Sequence, residues 1–127
     1  MNRAVIGVGS NIKPGRYIPL ARSAVAHSHR LLAESSFIET SPIGNPHSPA
    51  FINGVFLIET EMTRLALKRW LRKTEADLGR IRTADRYAPR TIDLDLVVWN
   101  GRIVDPDIYS RDFLRRLVME VLPDLTI

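Results

Sequence analysis

Asp93 and Asp95 stand two residues apart in the run Ile92 to Trp99, whose apolar and β-branched composition predicts a strand. On a strand that spacing puts both carboxylates on one face. Side by side they repel unless a cation joins them, and Mg²⁺ is typically held by one or two carboxylates plus substrate phosphates, with a pair of ions able to clamp a polyphosphate. Directly upstream, residues 80–91 form a polar connection of about 12 residues, where a helix-to-strand link usually takes roughly 2–6. It holds Arg80, Arg82, Arg86 and Arg90 beside Asp85 and Tyr87, so it can carry four guanidinium forks toward a phosphorylated ligand. Taken singly, the pair reads equally as two surface carboxylates and the segment as a solvated basic loop. Taken together they point to metal-assisted transfer of a phosphoryl-type group from a nucleotide to a small acceptor.

A second pair follows the same two-residue rule. Phe51 and Asn53 share a face of the run Phe51 to Thr60, and a ring beside a donor-acceptor amide suits a flat heterocycle, stacked by one and read by the other. The plainer alternative is a core Phe with an Asn satisfied by backbone. Glu75 can orient a ligand or pair with Arg72 or Lys68 on its own helix. His27, His29 and His47 read as surface histidines, and Trp70 and Trp99 as core. No Gly-x-x-x-x-Gly-Lys-Ser/Thr phosphate loop, Gly-x-Gly-x-x-Gly fingerprint or serine nucleophile elbow occurs.

These residues need elements to place them. Arg3 to Val8 reads as a first strand, broken by Gly-Ser-Asn and Pro14-Gly15. Leu20, Ala24, Val25, Leu31 and Leu32 recur at helical spacing, which predicts a helix from Pro19 to about Ala33. Ser35 to Thr40 reads as a second strand, and Ser41 to Ala50, with three prolines and a glycine, as a stiff loop. Phe51 to Thr60 is apolar on both faces and so should be a central strand. Thr63 is a candidate N-cap for a helix striped by Leu67, Trp70, Leu71, Thr74 and Leu78, with Gly79 at its C-terminus. Asn100-Gly101 predicts a hairpin into Arg102 to Val104, and Ser110 to Val121 a final helix. The order β-α-β-β-α-β predicts an α+β fold of the ferredoxin-like split βαβ type, a mainly antiparallel sheet with helices packed on one face.

The bulk composition agrees. A chain of 127 residues, 45% hydrophobic and 25% charged, fits one packed domain. With no cysteines it has neither disulfides nor thiolate chemistry, which fits a reducing compartment. No stretch has the apolar length of a membrane span and the N-terminal apolar run is too short for a signal peptide, so a cytoplasmic protein is expected. The formal net charge is +4, and of 18 basic residues only Lys13, Lys68 and Lys73 are lysine, so the excess charge sits on forks suited to bidentate phosphate contact.

In order and spacing, Gly9-Ser10-Asn11, Ser41-Pro42-Ile43-Gly44, Phe51-Ile52-Asn53, Glu75, Gly79-Arg80-Ile81-Arg82 and Arg86-Tyr87-Ala88-Pro89-Arg90-Thr91-Ile92-Asp93-Leu94-Asp95 resemble the 6-hydroxymethyl-7,8-dihydropterin pyrophosphokinase family of folate synthesis. The likeness runs from about residue 4 to about residue 125. It implies transfer of diphosphate from ATP to the pterin hydroxymethyl group with release of AMP, by a monomer with no nucleic-acid or membrane partner. It further implies that Asp93 and Asp95 hold two Mg²⁺ ions and that Arg80 and Arg90 neutralise the transferring group. The pterin would lie between Phe51 and Phe113, its edge read by Asn53 and by backbone near Thr40 and Ile43. Glu75 and Arg111 would sit at the nucleotide, and Arg82 and Tyr87 on a closing loop.

The tail departs from that pattern. Asp105-Pro106 stands where the family usually has His-Pro, which puts an acidic acceptor near the nucleotide phosphates unless it faces a metal or an arginine. Leu117-Val118 replaces a usual Pro-Leu, and the family commonly extends past the match at Pro123-Asp124-Leu125, so a terminal element is expected to be missing. An alternative reading is therefore a paralogue that binds a pterin or nucleotide without turnover. An RNA-binding domain is a third, although the first and third strands lack the aromatic-basic signature for it.

Overall fold

The computed structural model describes residues 1–41, 49–85 and 88–127. Most of the predicted proline loop, including Ile43, and Arg86 and Tyr87 of the arginine segment lie outside the described residues.

Among the described residues six strands form one sheet in which every pairing is antiparallel. The first strand, β1 (Asn2–Ser10), lies between β4 (Phe51–Thr60) and β5 (Asp93–Trp99). The far edge of β4 is taken by β2 (Arg30–Glu34) and β3 (Ile38–Thr40) end to end, and the end of β5 by β6 (Arg102–Ile103). Both long connections skip a strand. The helix α1 (Pro14–Ser28) joins β1 to β2 across β4, and α2 (Arg64–Asp77) joins β4 to β5 across β1.

Local chemistry explains most of these boundaries. The Thr63 hydroxyl accepts the Ala66 N–H at 3.2 Å and starts α2, and Gly79 at φ +87° ends it, as their types predict. Asn100 and Gly101 both have positive φ, which a tight hairpin turn demands. One expectation fails: α1 begins at Pro14 and stops at Ser28, and Arg30–Glu34 is a strand, not the end of a helix. Proline's fixed φ suits the first helical position, so Pro14 opens the helix that it was expected to precede. The turn comes at His29, whose extended backbone (φ −138°) sends Leu31 and Leu32 along the exposed edge of β4.

A second correction concerns the layers. Helices cover both sheet faces. Ala4, Ile6, Val8, Phe56 and Ile58 pack under α1 and α2, which contribute Ile18, Ala21, Val25, Leu67 and Leu71. The opposite pleat, with Val5, Val55, Leu57 and Val97, packs against Leu114, Leu117 and Val118 of α4 (Asp112–Val121), which a short turn of helix, α3 (Asp107–Ser110), precedes. A ten-residue helix reaches only part of a sheet whose central strand has nine residues and whose neighbour has ten. The rest of that face is left for a site.

Candidate active site

Register decides what the uncovered face carries. Gly9 pairs with Asn53 on one side and with Asp93 on the other, and Gly7 pairs with Val55 and Asp95. Paired residues in an antiparallel sheet point to the same side, so the heterocycle pair Phe51 and Asn53 and the carboxylate pair Asp93 and Asp95 belong to one face, separated by glycines. The glycines keep that floor low. A Cβ on Gly9 would stand 2.7 Å from Asn53 Oδ1.

Above the floor is a cleft of about 390 Å³. Its walls bring together Thr40, Phe51 and Asn53 at one end, Arg80, Arg82 and Arg90 with the two aspartates in the middle, and Arg111 and Phe113 from the start of α4. All of these were expected at a site from sequence. Asn53 Nδ2 donates to Thr40 Oγ1 at 2.6 Å, which fixes the amide and turns its carbonyl toward Gly9. The Arg90 guanidinium lies 5.9 Å from the centre of the Phe51 ring, a cation-π distance.

The arginines are held by carboxylates. Arg80 Nη1 donates to Glu75 Oε2 at 2.5 Å and to Asp93 Oδ1 at 2.9 Å, and Arg90 Nη1 to Asp93 Oδ2 at 3.3 Å. Arg82 Nη2 reaches Glu75 Oε1 at 3.0 Å. Glu75 itself does not line the cleft. Its side chain is 2% exposed, and it collects Arg72, Arg80 and Arg82 while accepting the Leu94 N–H at 2.7 Å. Arg72 was considered from sequence only as a partner for Glu75; it also reaches Asp95 Oδ1 at 3.2 Å. That contact spans 23 residues and has no local signal in the sequence.

The two aspartates differ in their electrostatics. Burial alone would raise both. For Asp93 the charges of Arg80 and Arg90 outweigh it and hold the carboxyl below its usual range. Asp95 is pushed up to about 7 by burial and by the charge of Asp93, against the pull of Arg72. A carboxylate in that state calls for a cation, and the oxygen donors are those a hard divalent ion takes. Among the described residues no group of three His, Cys, Asp or Glu side chains could close a metal cage. Two carboxylates can hold a hard divalent ion such as Mg²⁺, which takes oxygen ligands and completes its shell from phosphate and water.

Asp105 does not stand as a bare charge. Its Oδ1 accepts the Asp107 N–H at 2.9 Å and helps turn the chain into α3, while Asp107 pairs with Arg111 at 3.4 Å. Asp107 was not singled out from sequence, yet it lines the cleft. Among the described residues no helix is long and apolar enough to cross a membrane.

The chain matches the family model of the 7,8-dihydro-6-hydroxymethylpterin-pyrophosphokinases over residues 5–123. It is 30% identical over 138 residues to the 2-amino-4-hydroxy-6-hydroxymethyldihydropteridine pyrophosphokinase of Haemophilus influenzae, across 100% of this chain and 86% of that protein. The Bacillus subtilis protein of the same name is 32% identical over 133 residues, covering 94% of this chain and 78% of its own length. The folic acid synthesis protein fol1 of Schizosaccharomyces pombe is 32% identical over 135 residues, which are 96% of this chain and 18% of that protein. With the family model spanning nearly the whole sheet and the cleft residues in the order the resemblance requires, this chain belongs to the 7,8-dihydro-6-hydroxymethylpterin pyrophosphokinase family.

Proposed function

We propose that this chain transfers the β,γ-diphosphate of ATP to the hydroxymethyl oxygen of 6-hydroxymethyl-7,8-dihydropterin, releasing AMP, as a step of folate biosynthesis, and that it acts as a cytoplasmic monomer. The observation that carries this reading is the register at Gly7 and Gly9, which sets a stacking-and-amide pair beside a carboxylate pair on one open face under three arginines.

Each residue then has a task. Phe51 and Phe113 hold the pterin ring between them, and Asn53, braced by Thr40, presents its carbonyl to the ring edge. Two Mg²⁺ ions held by Asp93 and Asp95 would supply charge neutralisation on the polyphosphate. Arg80 and Arg90, already at Asp93, lie within reach of the group in flight, while Arg111 and Tyr87 serve the nucleotide. Glu75 serves it at one remove, by fixing the guanidinium groups. The pterin oxygen bonds to the β-phosphorus as the bridge to the α-phosphate breaks, AMP leaves with the bridging oxygen, and the hydroxyl proton is released with the products. No side chain need form a covalent intermediate, so rate comes from positioning and charge. Closure of the segment that bears Arg82 keeps water from competing with the pterin hydroxyl.

Incubation with ATP, Mg²⁺ and the hydroxymethyl dihydropterin tests the reading. AMP should appear in step with pterin diphosphate and only when all three are present. Tight pterin binding without AMP would instead establish the paralogue without turnover, which no feature of the cleft favours.

A further inference from the structure

Among the described residues, strand β5 has no strand partner on its outer edge where it carries the aspartates. Strand β6 covers only Val98 and Trp99, and β1 lies on the inner side. At Leu94 both outward backbone groups are taken by one turn of α2: Glu75 Oε2 accepts the N–H at 2.7 Å, and Arg72 Nη1 donates to the carbonyl at 3.3 Å. The same Nη1 donates to Glu75 Oε1 at 2.7 Å. One nitrogen of Arg72 is therefore anchored by two acceptors, and the other, Nη2, is aimed across the edge at Asp95 Oδ1, 3.2 Å away. The contact differs from those of Arg80 and Arg90, which both go to Asp93. It is also only partly buried, with Arg72 and Asp95 side chains 47% and 42% exposed.

We propose that Arg72 is a positioning residue that, through its contact with Asp95, makes the aspartate pair a poor site for a bare divalent cation, so that the cation enters together with a polyphosphate. This rests on the assignment of Asp93 and Asp95 as metal ligands in the reaction proposed above. A guanidinium pinned at this distance meets the incoming cation with like charge and holds one of its ligand oxygens. A polyphosphate reverses both effects. Its negative charge screens the repulsion, and its oxygens give Nη2 a new acceptor, while Nη1 keeps its place on Glu75 and Leu94. In the meantime the positive charge of Arg72 offsets part of the repulsion between Asp93 and Asp95.

Mn²⁺ as the probe separates this role from a structural one. Free Mn²⁺ is followed by its electron paramagnetic resonance signal as the protein is titrated without nucleotide, at low salt, for wild type, Arg72→Gln, Arg72→Met and Arg72→Lys. Arg72→Gln and Arg72→Met should bind Mn²⁺ tighter by on the order of tenfold. Arg72→Lys, which keeps the charge, should stay near wild type. The difference should shrink at 0.5 M KCl, because exposed charges are screened. In steady state Arg72→Gln should raise the KM for ATP more than it lowers kcat. Unchanged or weaker Mn²⁺ binding in both neutral variants would overturn the proposal, as would tighter binding in Arg72→Lys equal to theirs. If Arg72→Gln proves unstable, Arg72→Met against Arg72→Lys decides the same question. AMP release by the wild-type protein is measured separately, so a failed titration leaves the assignment of the reaction standing.

Discussion

Glu75 on α2 is the hydrogen-bond partner of the Leu94 amide on β5, at 2.7 Å, in the position a neighbouring strand would otherwise occupy. One buried carboxylate thus ties the helix to the strand that carries both aspartates, and collects three guanidinium groups. Glu75→Ala removes the shared counter-charge and leaves a buried N–H unpaired, and should destabilise the protein by about 3 kcal/mol, the scale for breaking one side of a buried ion pair. Urea unfolding followed by circular dichroism measures it. Glu75→Gln can still accept the Leu94 N–H and should lose less stability, yet AMP release should fall in both because Arg80 and Arg82 lose their anchor. Wild-type turnover in Glu75→Gln would show that the arginines find their places without it.

Asp95 illustrates a trade between stability and function. Its carboxylate sits beside Asp93 with burial and like charge both raising its proton affinity, so the ionised pair is a cost to the metal-free fold. Asp95→Asn should reduce AMP formation by roughly a thousandfold, the scale on which one charge-stabilising group acts in a transition state. In EDTA at pH 8 the same variant should melt no lower than wild type. Asp93→Asn should behave differently, because it strips Arg80 and Arg90 of their common partner, and a clear fall in melting temperature is expected. Equal melting shifts for the two variants would contradict the asymmetry.

How far the site was legible can be seen residue by residue. Asp93 with Asp95, and Phe51 with Asn53, are two-residue patterns on strands, and period alone puts each pair on one face. That the two pairs share a face depends on the β1 register through Gly7 and Gly9, a long-range pairing that spacing does not encode. Helix α2 was readable from Thr63 to Gly79 because both ends carry chemistry specific to helix ends. The end of α1 was not, since Ser28, His29 and Arg30 contain no glycine or proline and Leu31 and Leu32 continue the helical spacing by chance. Tertiary pairing with β4 makes that segment a strand. Burial of Glu75 was equally invisible, because a single acidic residue on an amphipathic helix gives no sign of the three guanidinium groups around it.

Gly9 should be intolerant of a side chain for a functional reason. An added Cβ would meet Asn53 Oδ1 at 2.7 Å and the Phe51 ring at 3.7 Å, so the amide must rotate and give up its 2.6 Å bond to Thr40. Gly9→Ala should therefore raise the KM for the pterin by roughly tenfold, equivalent to the loss of one hydrogen bond of about 1.4 kcal/mol. The KM for ATP should change little. A variant that impairs both substrates alike would point to a general disturbance of the sheet.

His29 provides a pH dependence separate from catalysis. Its Nδ1 lies 2.8 Å from Thr60 Oγ1, its ring meets Trp70 edge-on at 4.4 Å, and among the described residues its buried Nε2 has no partner. The Thr60 hydroxyl also accepts the Met62 N–H at 3.1 Å, which holds it beside the imidazole. Burial lowers the pKa of His29 below its ordinary 6.5. Above pH 6.5 neither the folded nor the unfolded form carries this proton and the histidine costs nothing. As pH falls through 6.5 the unfolded chain takes up the proton first, so stability drops until the lowered folded-state pKa is passed. The melting temperature of wild type minus that of His29→Gln should accordingly decrease between pH 7.5 and pH 5. Since all other titrating groups are common to both proteins, a difference that stays flat over this range would mean that the folded protein accommodates the charged imidazole.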